Sequence, residues 1–295
     1  LKIKYNLTMR FLKIILIFFS ISVFSQNNFT TLFERGNGNQ STTYEECIAF
    51  YEKLDESFAN IQMIHKGTSD SGKPLHLVLF SSEGKFDFDE YFTKDKAVIL
   101  INNGIHAGEP DGIDATMMLM RDLAMGKIKT AKNTLIAAIP VYSVGGMLNR
   151  NSHTRANQNG PEEYGFRGNA RNYDLNRDFI KSDTKNSRSF QKLFTELNPD
   201  IFLDNHVSNG ADYQYTFTCI ATQHERLGNK LGNYFINELY PSVVKDMNKK
   251  KIDVVPYVNV HSTTPDKGFE QFTDTPRYAT GYSTLFHTLG FVPET

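Results

Sequence analysis

Two runs, the continuous aliphatic 97–101 and the largely aliphatic 134–141, constrain this chain more than any other feature. A strand with one wet face alternates apolar and polar side chains, whereas a run apolar at every position is buried on both faces. Layers must therefore lie above and below it, and the chain supplies them. Apolar residues recur near helical spacing over 43–58 (Tyr44, Cys47, Ile48, Tyr51, Leu54, Phe58), and the pattern returns over 111–124, 187–197 and 227–247. Pro241 predicts a kink or break in the last of these. Strand-like segments at 61–65, 75–81, 200–204, 213–221 and from 291 onward alternate with the helices, and a short helix is predicted over 283–289. This order predicts an α/β fold, a sheet with helices on both faces. Nothing resembling a linker or repeat interrupts 41–295, so one domain is expected there. Within it, 143–177 is polar and rich in Asn, Gly and Arg, a loop long enough to be functional.

The first forty residues read differently. Residues 1–8 are expected to be upstream sequence, and 26–40 a linker to the mature domain. Between them, 9–25 has the pattern of an export signal: Met9, cationic Arg10 and Lys13, and an apolar stretch over 14–24 broken only by Ser20 and Ser22. Val23 and Ser25 are small residues before a cleavage at Gln26. The stretch falls short of the roughly 20 apolar residues a spanning helix needs. A secreted or periplasmic protein without stable membrane insertion is expected. The two cysteines, Cys47 and Cys219, form no CxxC pair and read as buried thiols. A formal net charge of -1 gives no case for a nucleic-acid partner.

Two histidines stand where an α/β sheet gathers its ligands, beyond the carboxyl ends of strands. His106 and Glu109 follow the run ending near Ile101 and precede the helix near Asp111, with Gly108 letting the backbone bend between them. His206 follows the strand at 200–204, and Asp204 is placed to orient its imidazole. Two imidazoles and one carboxylate with an open fourth position make a catalytic zinc set. Calcium or magnesium would call for more oxygens.

The His106–Glu109 turn, the segment Asp174-Leu175-Asn176-Arg177-Asp178-Phe179 and the strand-borne Asp204-Asn205-His206 stand in the order found in the zinc metallocarboxypeptidase superfamily. The turn-rich 67–75 is similar to that family's first strand-turn-strand, and the resemblance runs from about Thr43 to the end. It implies a mixed, mostly parallel twisted sheet of about eight strands. It also implies one zinc ion and a peptide substrate with a free C-terminal carboxylate gripped by Asn176 and Arg177. The planar fork of an arginine matches a carboxylate independently of any family. A further arginine polarises the scissile carbonyl in the family. Arg155 is taken for it here, with Arg150 and Arg171 left open because the loop spacing differs. The family's general base falls at Glu294, and Tyr278 resembles its mobile tyrosine.

The expected activity is thus hydrolysis of a peptide bond near a free C-terminus. A deacylase of the aspartoacylase and succinylglutamate desuccinylase branch and a non-catalytic zinc- or peptide-binding module are the alternatives. Pro293 costs its strand a donor and is expected at an edge or bulge. Because Glu294 is the penultimate residue, the sequence reading expects further chain beyond Thr295 and a base free to fray.

Overall fold

A computed structural model of the protein describes residues 29–91, 96–209 and 214–295. The candidate export signal lies outside them. Among the described residues, no helix is long and apolar enough to cross a membrane.

Eight strands form one sheet in the order β1-β2-β4-β3-β5-β10-β6-β7. They span Ile61–Thr68 (β1), Pro74–Ser81 (β2), Ala97–Asn102 (β3), Thr134–Ile139 (β4), Ile201–Asp204 (β5), Phe217–Ala221 (β6), Val254–Pro256 (β7) and Leu289–Glu294 (β10). The four central strands, β4, β3, β5 and β10, are parallel. Antiparallel pairing joins β1 to β2, β2 to β4 and β6 to β10. A separate two-stranded ribbon pairs Val258–Val260 (β8) with Phe269–Gln271 (β9).

The aliphatic runs behave as their composition demands. Along β2, β3 and β4, neighbouring residues serve opposite faces: Leu77, Leu100 and Ala137 enter one core, Val78, Ile101 and Ala138 the other. Helices α1 (Tyr44–Ser57) and α2 (Asp111–Ala124) cover the second face through Cys47, Tyr51, Met117 and Met120. Helix α3 (Lys185–Leu197) covers the first, where Phe190 and Phe194 pack on Phe202 at 5.7 and 5.5 Å between ring centroids. Each such ring, fully buried, stabilises by about 1.5–3 kcal/mol. Capping fixes where these helices begin. Thr43 and Glu46 form a reciprocal capping box on α1, and the Thr184 hydroxyl accepts from Ser187 N–H on α3. Cys47 and Cys219 are free and buried, as expected.

The helix predicted over 227–247 is interrupted next to Pro241: it runs as α4 (Gly228–Tyr234), a π turn at Phe235–Leu239 and α5 (Tyr240–Lys249), with Pro241 in the first turn of α5. Three differences from the sequence reading have physical reasons. The late helix α6 is Ala279–Ser283, earlier than predicted, and only a 3₁₀ turn at Thr284–Phe286 follows it within the predicted span, ended by His287 in a left-handed conformation. The segment expected as a linker carries a helical turn, Leu32–Arg35, begun by a Thr31–Glu34 capping box. Pro293, finally, is on an interior strand. Its carbonyl accepts from His206 N–H, and its donor-less nitrogen falls in the gap between the last β10–β5 pair, Phe291–Leu203, and the His206–Glu294 bridge.

Candidate metal centre and pocket

Strands β3 and β5 lie side by side with Asn102 opposite Asp204, and the chain leaves both at the same edge. After β3 it turns through Gly104, whose φ of +63° is left-handed and costs glycine nothing. The Glu109 N–H then donates to the His106 carbonyl at 2.9 Å, which folds the two side chains together. Beyond β5, His206 is fixed by its N–H to Pro293 and pairs in parallel with Glu294.

Three donors converge there. His106 Nδ1 lies 3.2 Å from Glu109 Oε1, and His206 Nδ1 lies 2.9 Å from Glu109 Oε2. Ligand atoms of all three buried residues lie within 4.8 Å of one another. The outer nitrogens are both engaged, His106 Nε2 with Asp174 Oδ1 at 2.9 Å and His206 Nε2 with Asp204 Oδ2 at 3.1 Å. A carboxylate only accepts, so each Nε2 carries a proton, and the Nδ1 atoms are the ring nitrogens that face Glu109. Burial raises the pKa of Glu109, but the His106 and His206 imidazoles outweigh it and hold the carboxyl well below the usual range. Burial lowers the pKa of His206, but Asp204 and Glu109 outweigh it and hold the ring well above its ordinary value. Ligation at Nδ1 would displace a proton, as metal binding to imidazole generally does. Two imidazoles and a carboxylate gathered within 4.8 Å, each ring bonded to an outer carboxylate, are a donor set that could hold a metal ion such as zinc.

Asp174 links this centre to its surroundings. Besides His106, it accepts from Asn176 N–H and, through Oδ2, from Arg167 Nε and Nη2 at 3.2 and 2.9 Å. Burial pushes its pKa up, yet the His106 hydrogen bond and the nearby Arg167 and Arg177 charges hold it well below the carboxylate range.

A cavity of about 220 Å³ opens over the centre. Of the residues expected from sequence, His106, Glu109, Asn176, Arg177, His206, Tyr278 and Glu294 all line it. The Arg177 guanidinium lies over the Tyr278 ring at 4.6 Å. Glu294 lies on β10, where it pairs with Thr218, whose hydroxyl donates to its carbonyl at 3.0 Å. Burial, opposed by His206 and reinforced by Glu109, pushes its carboxyl up to about 7.

The arginine expected at the carbonyl is placed otherwise. Arg155 is buried behind the centre, its Nη1 2.7 Å from Glu109 Oε1, and is not among the residues lining the cavity. Arg150 donates to the carbonyls of Ser41, Thr42 and Glu163, and Arg171 stacks on Tyr173 at 4.5 Å. Beside Arg177, the cavity wall holds a second arginine, Arg167, which the sequence reading did not single out. Its spacing seven residues before Asp174 was the available signal, and irregular loops carry no period to make such a spacing visible.

Comparison with known proteins adds to this geometry. A family model described as "Zinc carboxypeptidase" matches residues 47–264. A curated relative named "Probable carboxypeptidase 2", from Arthroderma benhamiae, is 29% identical over 114 residues, which are 38% of this chain and 19% of the relative. Among solved structures, the fold is similar to a metallo-carboxypeptidase from Burkholderia cenocepacia (TM-score 0.60, 14% identity, 86% of this chain and 60% of that one). It is also similar to the carboxypeptidase A from Helicoverpa armigera (TM-score 0.59, 15% identity, 86% of this chain and 64% of that one). This chain thus spans under two thirds of each structure's length and matches about a fifth of the curated relative's.

Proposed function

The chain belongs to the zinc carboxypeptidase family, and from that premise we propose that it hydrolyses the peptide bond next to a free C-terminal carboxylate, with zinc held by His106, Glu109 and His206. The observation that carries this reading is the meeting of those three ligands with Asn176, Arg177 and Glu294 in one cavity.

When bound, zinc supplies Lewis acidity and lowers the pKa of a water to about 7. The side chains do the rest. Glu294, pushed up to about 7, is poised to take a proton from water and return it to the departing amine. Asn176 and Arg177 hold the substrate carboxylate, and the Tyr278 ring fixes the guanidinium plane from one side. Arg167 replaces Arg155 as the cation beside the scissile carbonyl, because it borders the cavity while staying anchored on Asp174. The export signal read at 9–25 would put this activity outside the cytoplasm.

Digestion of a peptide library, read by mass spectrometry, tests the proposal. Free C-termini should be shortened by single residues while amidated copies survive. Equal loss from both, or hydrolysis of acyl-amino acids in place of peptides, would reject it.

A further inference from the structure

We propose that Arg155 is a positioning residue: with Gln158 it clamps the Glu109 carboxylate in the orientation its metal requires. This rests on the metal centre proposed above.

The contacts form a closed path. Arg155 Nη1 donates to Glu109 Oε1 at 2.7 Å, Arg155 Nε donates to Gln158 Oε1 at 2.6 Å, and Gln158 Nε2 returns to the carbonyl of Gly108 at 3.1 Å. The ring starts at the Glu109 side chain and ends on the residue before it. Further bonds press the same loop onto the turn. Arg155 N–H donates to the Tyr164 hydroxyl at 3.1 Å, Tyr164 exchanges both backbone bonds with Asn151, and Gly165 N–H donates to the Ala107 carbonyl at 3.1 Å. There is no slack at the contact. A Cβ on Gly108 would sit 2.8 Å from the Gly165 carbonyl oxygen and 3.4 Å from Arg155 Cγ.

The clamp fixes the plane of the carboxylate. Oε1 accepts from Arg155 and Oε2 from the Val207 N–H at 3.1 Å. The remaining lone pair of each oxygen is directed inward, where His106 Nδ1 and His206 Nδ1 lie at 3.2 and 2.9 Å. Arg155 Nη2, meanwhile, is buried with no hydrogen-bond partner. A buried cation with an orphaned donor is a poor stabilising device, and such exceptions call for a functional reason. At 8% exposure and outside the cavity lining, Arg155 is also out of a substrate's reach. The long loop over 149–165 therefore belongs to the metal site rather than to the substrate site.

The test compares R155M, R155K, Q158A and R167M with the wild-type protein. Zinc affinity is measured by chelator competition, the cobalt-substituted absorption spectrum is recorded, and kcat and KM are measured at buffered zinc. Outer-sphere partners of metal ligands typically set 10- to 100-fold in affinity. R155M should lose that much, with an altered cobalt spectrum, and excess zinc should recover its kcat with KM little changed. R155K restores part of the loss. Q158A, which leaves the guanidinium in place, loses several-fold. R167M, which removes a cation bordering the cavity, stays slow at any zinc concentration. R155M that is fully zinc-loaded yet still slow would overturn the proposal and make Arg155 a substrate contact. Wild-type zinc affinity in both R155K and Q158A would overturn it even if R155M fails to fold. A wild-type protein that binds no zinc would instead remove the metal centre itself.

Discussion

Asp204→Ala isolates the orientation of one metal ligand. Asp204 has no exposed surface and accepts two bonds, from Asn102 Nδ2 at 2.8 Å and from His206 Nε2 at 3.1 Å. Truncation leaves two buried donors unpaired, at about 1–3 kcal/mol each. The fold should therefore lose roughly 2–6 kcal/mol, a fall in Tm on the order of 3–10 °C for a chain of this size. Zinc affinity should fall separately by about 10- to 100-fold, because nothing then fixes the His206 ring or its tautomer. Asp204→Asn should do less damage, since one amide oxygen can serve one of the two donors. Thermal melts of the metal-free protein give the first quantity and chelator competition the second. Zinc affinity within twofold of wild type in Asp204→Ala would refute the reasoning, whatever happens to Tm.

Arg177→Lys keeps the charge but loses the planar fork, so the preference for free over amidated C-termini should shrink at least tenfold, read from kcat/KM on matched peptides, with Tm little changed; an unchanged preference counts against the role. Glu294→Gln should retain zinc while kcat falls by about 10²- to 10⁴-fold; a loss under tenfold means another group moves the proton. Asp114 is buried beneath the Thr42 N–H, and burial pushes its carboxyl up to about 6. The folded protein then holds a proton the unfolded chain has lost, so stability falls as pH rises from about 4 to 6, and the cost persists at neutral pH. Asp114→Asn keeps the acceptor for Thr42 and should melt higher than wild type at pH 7.5, with the gap closing near pH 4; a gap independent of pH rules this out.

What the sequence made legible follows from its chemistry. Strands β3 and β4 announce themselves because a strand buried on both faces has no room for polar residues. The ligands are visible for the same reason: His106 and His206 stand just beyond such strands. Strands β7, β8 and β9 were not legible, since three residues are too few to show alternation and Phe269 is 62% exposed. The mislocated helix α6 has a similar cause, with Thr280, Gly281 and Ser283 buried although none is apolar. Arg155 and Arg167 differ by which side of Glu109 and His106 their loop carries them, and only the folded loop decides that. The pairing of Glu294 with Thr218 on β6 was not legible either, since it joins strands some seventy residues apart.

Zinc content per chain tests the central claim most directly. Purified wild-type protein and the His106→Ala, Glu109→Ala and His206→Ala variants would be dialysed against a weak chelator and their zinc counted by mass spectrometry. Three protein ligands leave no spare, so one zinc per wild-type chain and close to none in each variant is the predicted result. Stoichiometric zinc in all three variants would contradict the account.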